Sequence, residues 1–216
     1  KRGEQILIIK LGAMGDVLRT TALLRALEGD VDWLTSPAAV PLLENNPFLN
    51  RVLTAPEPAQ HYDCVLSLDE DRKAVDMAVA AGGARLLGVL YNEEGERIYT
   101  PETAPWFDMG LISRFGKTRA DALKKANRRS FQEYLFEMTG RKFQEEEYVL
   151  ALTPWPFEAD HALRVGIERR AGDRWPLKKW DKYDVLIDAL EADGVPVTVF
   201  SQREDVRDYM RDIQGC

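Results

Sequence analysis

The sequence predicts an α/β fold: a doubly wound parallel sheet, followed by the beginning of a second unit of the same kind. Three observations carry this expectation. Short apolar runs without alternation recur, the first being Ile6-Leu7-Ile8-Ile9-Lys10, and such runs fit strands buried on both faces. Each is followed by a turn and then by apolar residues at helical spacing. A break carrying Pro154 and Pro156 precedes a restart of the same pattern. The alternation is Rossmann-like. It divides the chain into a first domain over 1–153, a linker over 154–163 and a partial second domain over 164–216.

Taken in order, the first strand gives way to Gly12 and Gly15, and a helix follows in which Val17, Leu18, Leu23, Leu24 and Leu27 recur at helical spacing. A second strand covers Val31-Asp32-Trp33-Leu34-Thr35. Ser36-Pro37 then reads as a cap followed by proline in the first helical turn. Arg51 to Thr54 is a short strand and Tyr62 to Leu68 a buried one. Asp69-Glu70-Asp71 then opens a helix that closes at Gly82-Gly83. Arg85 to Leu90 returns as a strand. Residues 92–116 show no periodicity and read as a long surface excursion, the kind of connection that often carries function. Thr118 and Asp121 form a T-x-x-D capping pattern for one helix running to Gly140. A strand is expected over Tyr148 to Leu152. After the linker come a strand near Arg164 to Ile167, a helix from Lys182 to Ala192, a strand from Val195 to Phe200 and a helix from about Glu204. The apolar last strand, with Val195, Val197, Val199 and Phe200, calls for further chain or another surface to cover it.

Composition narrows the function classes. The 216 residues carry a net charge of −7, which excludes nucleic-acid binding by bulk electrostatics. The two cysteines, Cys64 and Cys216, lie far apart and the histidines are two, His61 and His161; no cluster has metal-ligand spacing and no disulfide framework is implied. No apolar run reaches the roughly 18 residues of a membrane span, and no signal-peptide pattern opens the chain. A cytoplasmic protein is expected. The chain opens on Lys1 rather than Met, which reads as trimming at the start.

The Gly12–Gly15 turn lies at the carboxyl edge of its strand, where open α/β sheets bind ligands. It matches neither GxGxxG nor GxxxxGK[ST]. Asp16 has two readings. It is either an N-cap holding the first amides of the helix or a carboxylate poised on a rigid scaffold as a general base. Residues 169–180, RRAGDRWPLKKW, form a second candidate: a basic glycine loop between a strand and a helix. Such a loop either holds a diphosphate or is solvated, with its tryptophans pinned into the core.

The stretch IxKLGAMGDVLRTTALLRAL resembles the opening of the heptosyltransferase-type glycosyltransferases, glycosyltransferase family 9. The loop also matches that family's N-T-G-A-G-x-R-W-P-x-K-x-W at Ala171, Gly172, Arg174, Trp175, Pro176, Lys178 and Trp180. Glu168-Arg169-Arg170 replaces the N-T-G. DWLTSPAAVPLLENNPFLNRVL and GRKFQEEEYVL are weaker similarities. The resemblance spans nearly all of this chain and about two thirds of the family's architecture.

This resemblance implies a GT-B fold with the acceptor on the first domain and the nucleotide sugar on the second. It implies inverting, metal-independent transfer of heptose from ADP-heptose to the inner core of lipopolysaccharide, with no cofactor beyond the ADP-sugar donor. Asp16 would be the catalytic base. Lys10, Gly12, Met14, Gly15 and Arg19 would meet the acceptor, and Gly172, Arg174, Trp175 and Lys178 the donor. The alternative is a shortened, non-catalytic homologue serving as a binding or assembly subunit.

Two other patterns have bland readings beside sharp ones. Asp69-Glu70-Asp71 spells D-x-D, a metal-holding pair in another glycosyltransferase class, but an acidic helix start needs no ligand. Residues 114–129 carry seven cationic side chains and one carboxylate. They form either a solvated helix face or a surface for an anionic partner, such as the lipopolysaccharide core, another anionic glycan or the inner face of the membrane.

Overall fold

The computed structural model describes residues 3–57, 60–110, 112–151, 164–169, 177 and 179–200. The chain divides into two compact units, Lys1–Leu152 and Thr153–Cys216. The expected linker over 154–163 and the expected helix from Glu204 lie outside the described residues.

The first unit is built on five parallel strands in the order β3-β2-β1-β4-β5. They are β1 (Gln5–Ile9), β2 (Asp30–Leu34), β3 (Arg51–Leu53), β4 (Tyr62–Ser67) and β5 (Gly83–Leu87). Every residue of β1 is buried, as expected for the central strand of a sheet covered on both faces. Ile8 pairs with Trp33 and Leu66, and Leu7 with Asp32 and Val65. One face carries Ile6, Ile8, Val31, Trp33, Cys64 and Leu66, packed with Val17, Leu23 and Leu24. Those three come from α1 (Met14–Thr20) and the 3₁₀ turn Thr21–Arg25 that continues it. The opposite face carries Leu7, Ile9, Leu34 and Val65, covered by Ala78 and Ala81 of α2 (Arg72–Ala81).

One polar cluster interrupts that second face. Asp32 sits in mid-strand and its register partner on β3 is Arg51. Arg51 Nη2 approaches the Asp32 carboxylate to 2.6 Å, Tyr62 Oη donates at 2.9 Å and Asn50 Nδ2 at 3.0 Å. Burial pushes the Asp32 carboxyl up, but the bonds from Arg51, Tyr62 and Asn50 outweigh it and hold the group below its usual range. Burial and the same carboxylate push the Tyr62 phenol well up.

Several local expectations are corrected. The helix expected after Ser36-Pro37 is a 3₁₀ helix, Pro37–Leu42, and Ser36 makes no side-chain cap. The strand expected to run on to Leu90 stops at Leu87. Gly88 adopts φ 145°, and a Cβ there would lie 2.4 Å from the Ser67 carbonyl, so only glycine fits this corner. The chain then turns into an antiparallel hairpin of β6 (Val89–Tyr91) and β7 (Arg97–Tyr99). Thus the 92–116 excursion has structure of its own, including α3 (Ala104–Phe107).

The single helix expected from Thr118 to Gly140 is two, α4 (Gly116–Ala126) and α5 (Phe131–Met138). Phe115, not Thr118, is the N-cap of α4. Ser130 caps α5 in a reciprocal capping box with Glu133, and a new start inside the apolar stripe breaks it. Residues 148–151 form no strand. Val149 is instead held by Thr21 Oγ1, which accepts from its amide at 2.9 Å.

In the second unit, β8 (Val165–Glu168) pairs in parallel with β9 (Val197–Phe200), beside α6 (Tyr183–Ala192). None of the α6 residues is fully buried, and Val185 is 66% exposed.

Candidate active site at the carboxyl edge of the first sheet

The backbone leaving β1 is fastened on both sides. Lys10 N–H donates to the Leu34 carbonyl at 3.1 Å, and the Lys10 carbonyl accepts from Thr35 Oγ1 at 2.8 Å. On the β4 side, Leu68 N–H donates to the Ile9 carbonyl at 2.9 Å. The turn then runs through Gly12 to Ala13, the N-cap of α1, which makes no side-chain cap. The Ala13 carbonyl accepts from Asp16 N–H at 2.8 Å and Val17 N–H at 2.9 Å.

Asp16 is therefore the third residue of the helix and not its N-cap, which corrects the bland reading. Its carboxylate meets Arg19 Nη2 at 2.8 Å and is 41% exposed. The Arg19 guanidinium lies 4.1 Å from the centroid of Phe131 in α5, which packs edge-on against Trp106 at 4.9 Å. The aromatic wall fixes the arginine, and the arginine meets one oxygen of the carboxylate.

Among the described residues, a Cβ placed on Gly12 or Gly15 would meet nothing within 4 Å, and neither glycine has positive φ. Neither backbone conformation nor packing requires glycine there. What the two residues leave is bare backbone, open to an approaching group, and Met14 between them is 52% exposed. Of the five expected acceptor residues, Met14, Gly15 and Arg19 stand with Asp16 on this open face, and Gly12 lies just before it. Lys10 does not. It is buried and its ammonium pairs with Asp69.

The acidic triplet resolves into three separate contacts. Asp69 takes Lys10 Nζ on one oxygen and Leu11 N–H on the other. Glu70 accepts from Tyr99 Oη at 2.8 Å. Asp71 caps α2 by accepting from Ala74 N–H at 3.1 Å. No two of these carboxylates share a site, and no metal-holding cluster occurs among the described residues. Burial pushes the Glu70 carboxyl above its usual range, despite the Tyr99 bond and the nearby Arg97 and Lys10. Burial, then the bond to Glu70, pushes the Tyr99 phenol up to about 12.

Gly172, Arg174, Trp175 and Lys178 lie outside the described residues. On either side of them in the chain, Arg169 pairs with Asp184 of α6 at 3.0 Å, and Trp180 packs edge-on against Tyr183 at 5.3 Å. In the basic segment, Arg114 pairs with Asp108, Lys117 and Lys124 with Asp121, and Arg129 with Glu137. Arg119 and Lys125 have no carboxylate partner among the described residues. Sequence reasoning weighed Asp69 only as part of a metal-holding pair or a helix start, and missed its hold on Lys10 and Leu11 as well as the parts played by Phe131 and Tyr99. Their signal is spatial, since each acts on a residue distant in the chain.

The fold is similar to the Rossmann-like GT-B fold of the heptosyltransferases. The similarity is one of structure: the sequence matches no family model and no curated protein. The crystal structure of the glycosyl transferase family 9 protein from Veillonella parvula superposes with a TM-score of 0.61 at 14% identity, over 97% of this chain and 65% of that one. The Escherichia coli ADP-heptose LPS heptosyltransferase II gives 0.54 at 18% identity, over 98% and 68%. The E. coli heptosyltransferase WaaC with ADP-2-deoxy-2-fluoro heptose gives 0.53 at 18%, over 93% and 70%. The chain thus spans about two thirds of the length of these structures.

Proposed function

We propose that the protein is a glycosyltransferase that moves heptose from ADP-heptose to the lipopolysaccharide inner core or a similar anionic glycan. Asp16 takes the proton from the acceptor hydroxyl as its oxygen attacks the anomeric carbon. The bond to the diphosphate breaks, ADP leaves, and a single displacement inverts the configuration without a metal. A positioned base of this kind contributes roughly 10²–10⁴-fold. Arg174 and Lys178 neutralise the charge that grows on the diphosphate, with Gly172 and Trp175 beside it.

The observation that carries this reading is the half-exposed Asp16 carboxylate, with one arginine partner, beside two bare glycines at the ligand edge. The heptosyltransferase fold and the bound ADP-sugar analogue named for WaaC support the choice of donor.

Arg19, Arg119 and Lys125 favour an anionic acceptor and a peripheral contact with the inner face of the membrane, which fits a cytoplasmic enzyme. No helix among the described residues is long and apolar enough to cross a membrane. The non-catalytic reading draws on Glu168-Arg169-Arg170, where Arg169 is already paired with Asp184. The full-length protein, given ADP-heptose and a phosphorylated inner-core oligosaccharide, is expected to release ADP and add one heptose, followed by product mass. Donor binding without ADP release would favour the non-catalytic subunit, and no donor binding at all would overturn both readings.

A further inference from the structure

We propose that Asp69 is a positioning residue for Asp16: its ion pair with Lys10 and its bond from Leu11 N–H hold the turn that carries the base. Four observations converge on it. The strand ladders stop at Lys10 on the β2 side and at Ile9 on the β4 side, so Leu11 N–H is the first amide beyond both. Asp69 Oδ2 takes that amide. The other oxygen takes the Lys10 ammonium, and the side chains are 13% and 9% exposed. Two residues beyond Leu11, the Ala13 carbonyl fixes the amides of Asp16 and Val17, so any slack at Leu11 passes directly to the base.

Stability alone gives little reason to keep such a pair. A buried ion pair is commonly matched or bettered by apolar residues of similar volume. What apolar residues cannot supply is an acceptor for Leu11 N–H or a fixed register for the turn. Glu70 acts on Lys10, but its carboxyl is held by Tyr99 and it also feels Arg97 and Asp108. Glu70 is thus a neighbour of Lys10 but is committed elsewhere, and among the described residues Asp69 alone binds both Lys10 and the turn. The adjacent Glu70 and Asp71 anchor the β6–β7 excursion and α2, so one acidic triplet fastens three segments at the ligand edge.

The catalytic consequence rests on the reading of Asp16 as the base, and the test separates the two. In the full-length protein, Asp69→Asn keeps the shape and removes the charge. Amide exchange at residues 11–17 is expected to rise about tenfold while exchange in α5 stays parental. Transfer kcat is expected to fall about tenfold or more, with the donor KM within about twofold, because the base is displaced and the donor site is untouched. Asp69→Glu, which keeps a carboxylate, is expected to recover part of both effects. Parental exchange at 11–17 in Asp69→Asn would overturn the proposal whatever the activity. A parent protein without transfer would sink the functional reading and leave the exchange result to decide this one. Should Asp69→Asn fail to fold, Lys10→Met with Asp69→Leu removes the buried pair as a unit, and the same local loosening is read.

Discussion

Asp32 in β2 and Asp16 in α1 each meet an arginine, Arg51 at 2.6 Å and Arg19 at 2.8 Å. Their surroundings differ in every other respect. Asp32 is 3% exposed and takes bonds from Arg51, Tyr62 and Asn50. Asp16 is 41% exposed and, among the described residues, has a partner on one oxygen and lies beside glycines whose added Cβ would meet nothing within 4 Å. A carboxylate whose lone pairs are all occupied joins strands. A carboxylate with an oxygen to spare at the carboxyl edge of the sheet is available for chemistry. Proximity to a cation therefore does not separate the two carboxylates; the oxygen of Asp16 that has no partner among the described residues does, and it supports the proposal that Asp16 is the base.

The largest expected effect lies on the structural side. Asp32→Ala strands Arg51 and the Tyr62 hydroxyl and is expected to cost about 3 kcal/mol, read by urea unfolding of the first unit. The acid limb of the stability curve sharpens the point. Because the folded carboxyl of Asp32 is held below its unfolded value, its contribution is complete above about pH 4 and is lost as the pH falls further. In Asp32→Ala that acid-side loss should be shallower than in the parent. Equal slopes would mean the bonds to Asp32 do not outweigh its burial.

Glu70 should behave with the opposite sign. Its folded carboxyl is raised, so the folded state holds the proton more tightly, and stability declines as the pH rises from about 4.5 through the folded value. Glu70→Gln keeps an acceptor for Tyr99 Oη and removes that decline. The variant is expected to match the parent near pH 3 and exceed it at pH 7, by less than the Asp32→Ala loss. Thermal unfolding at the two pH values reads this, and a variant less stable than the parent at pH 7 would contradict it.

Much of the fold is legible in the sequence because burial on both faces writes itself as unbroken apolar runs. Ile6–Ile9 and Cys64–Leu66 are such runs, and both are central strands. The place of Asp16 after Gly15 was legible for the same reason, since it follows directly from the end of the first strand. What the sequence obscured depends on partners distant in the chain. Nothing within a few residues of Asp69 reveals that it will hold Lys10 and Leu11, 59 and 58 positions away. Arg19 likewise finds Phe131 through tertiary packing. The division of α4 from α5 was written locally, in Ser130 and Glu133, but the apolar stripe running through both helices masks it. Asp32 in mid-strand was itself a signal, because a charge at the centre of a buried run requires a partner, and Arg51 supplies it from the neighbouring strand.

The central claim is that Asp16 works as chemistry and Asp32 as structure, and one paired measurement tests it. In the full-length protein, transfer kcat and thermal midpoint are compared for the parent, Asp16→Asn and Asp32→Asn. Asp16→Asn is expected to lower kcat by about 10²-fold or more with the midpoint unchanged, while Asp32→Asn lowers the midpoint and leaves kcat of the folded fraction near parental. Parental turnover in Asp16→Asn would contradict the account.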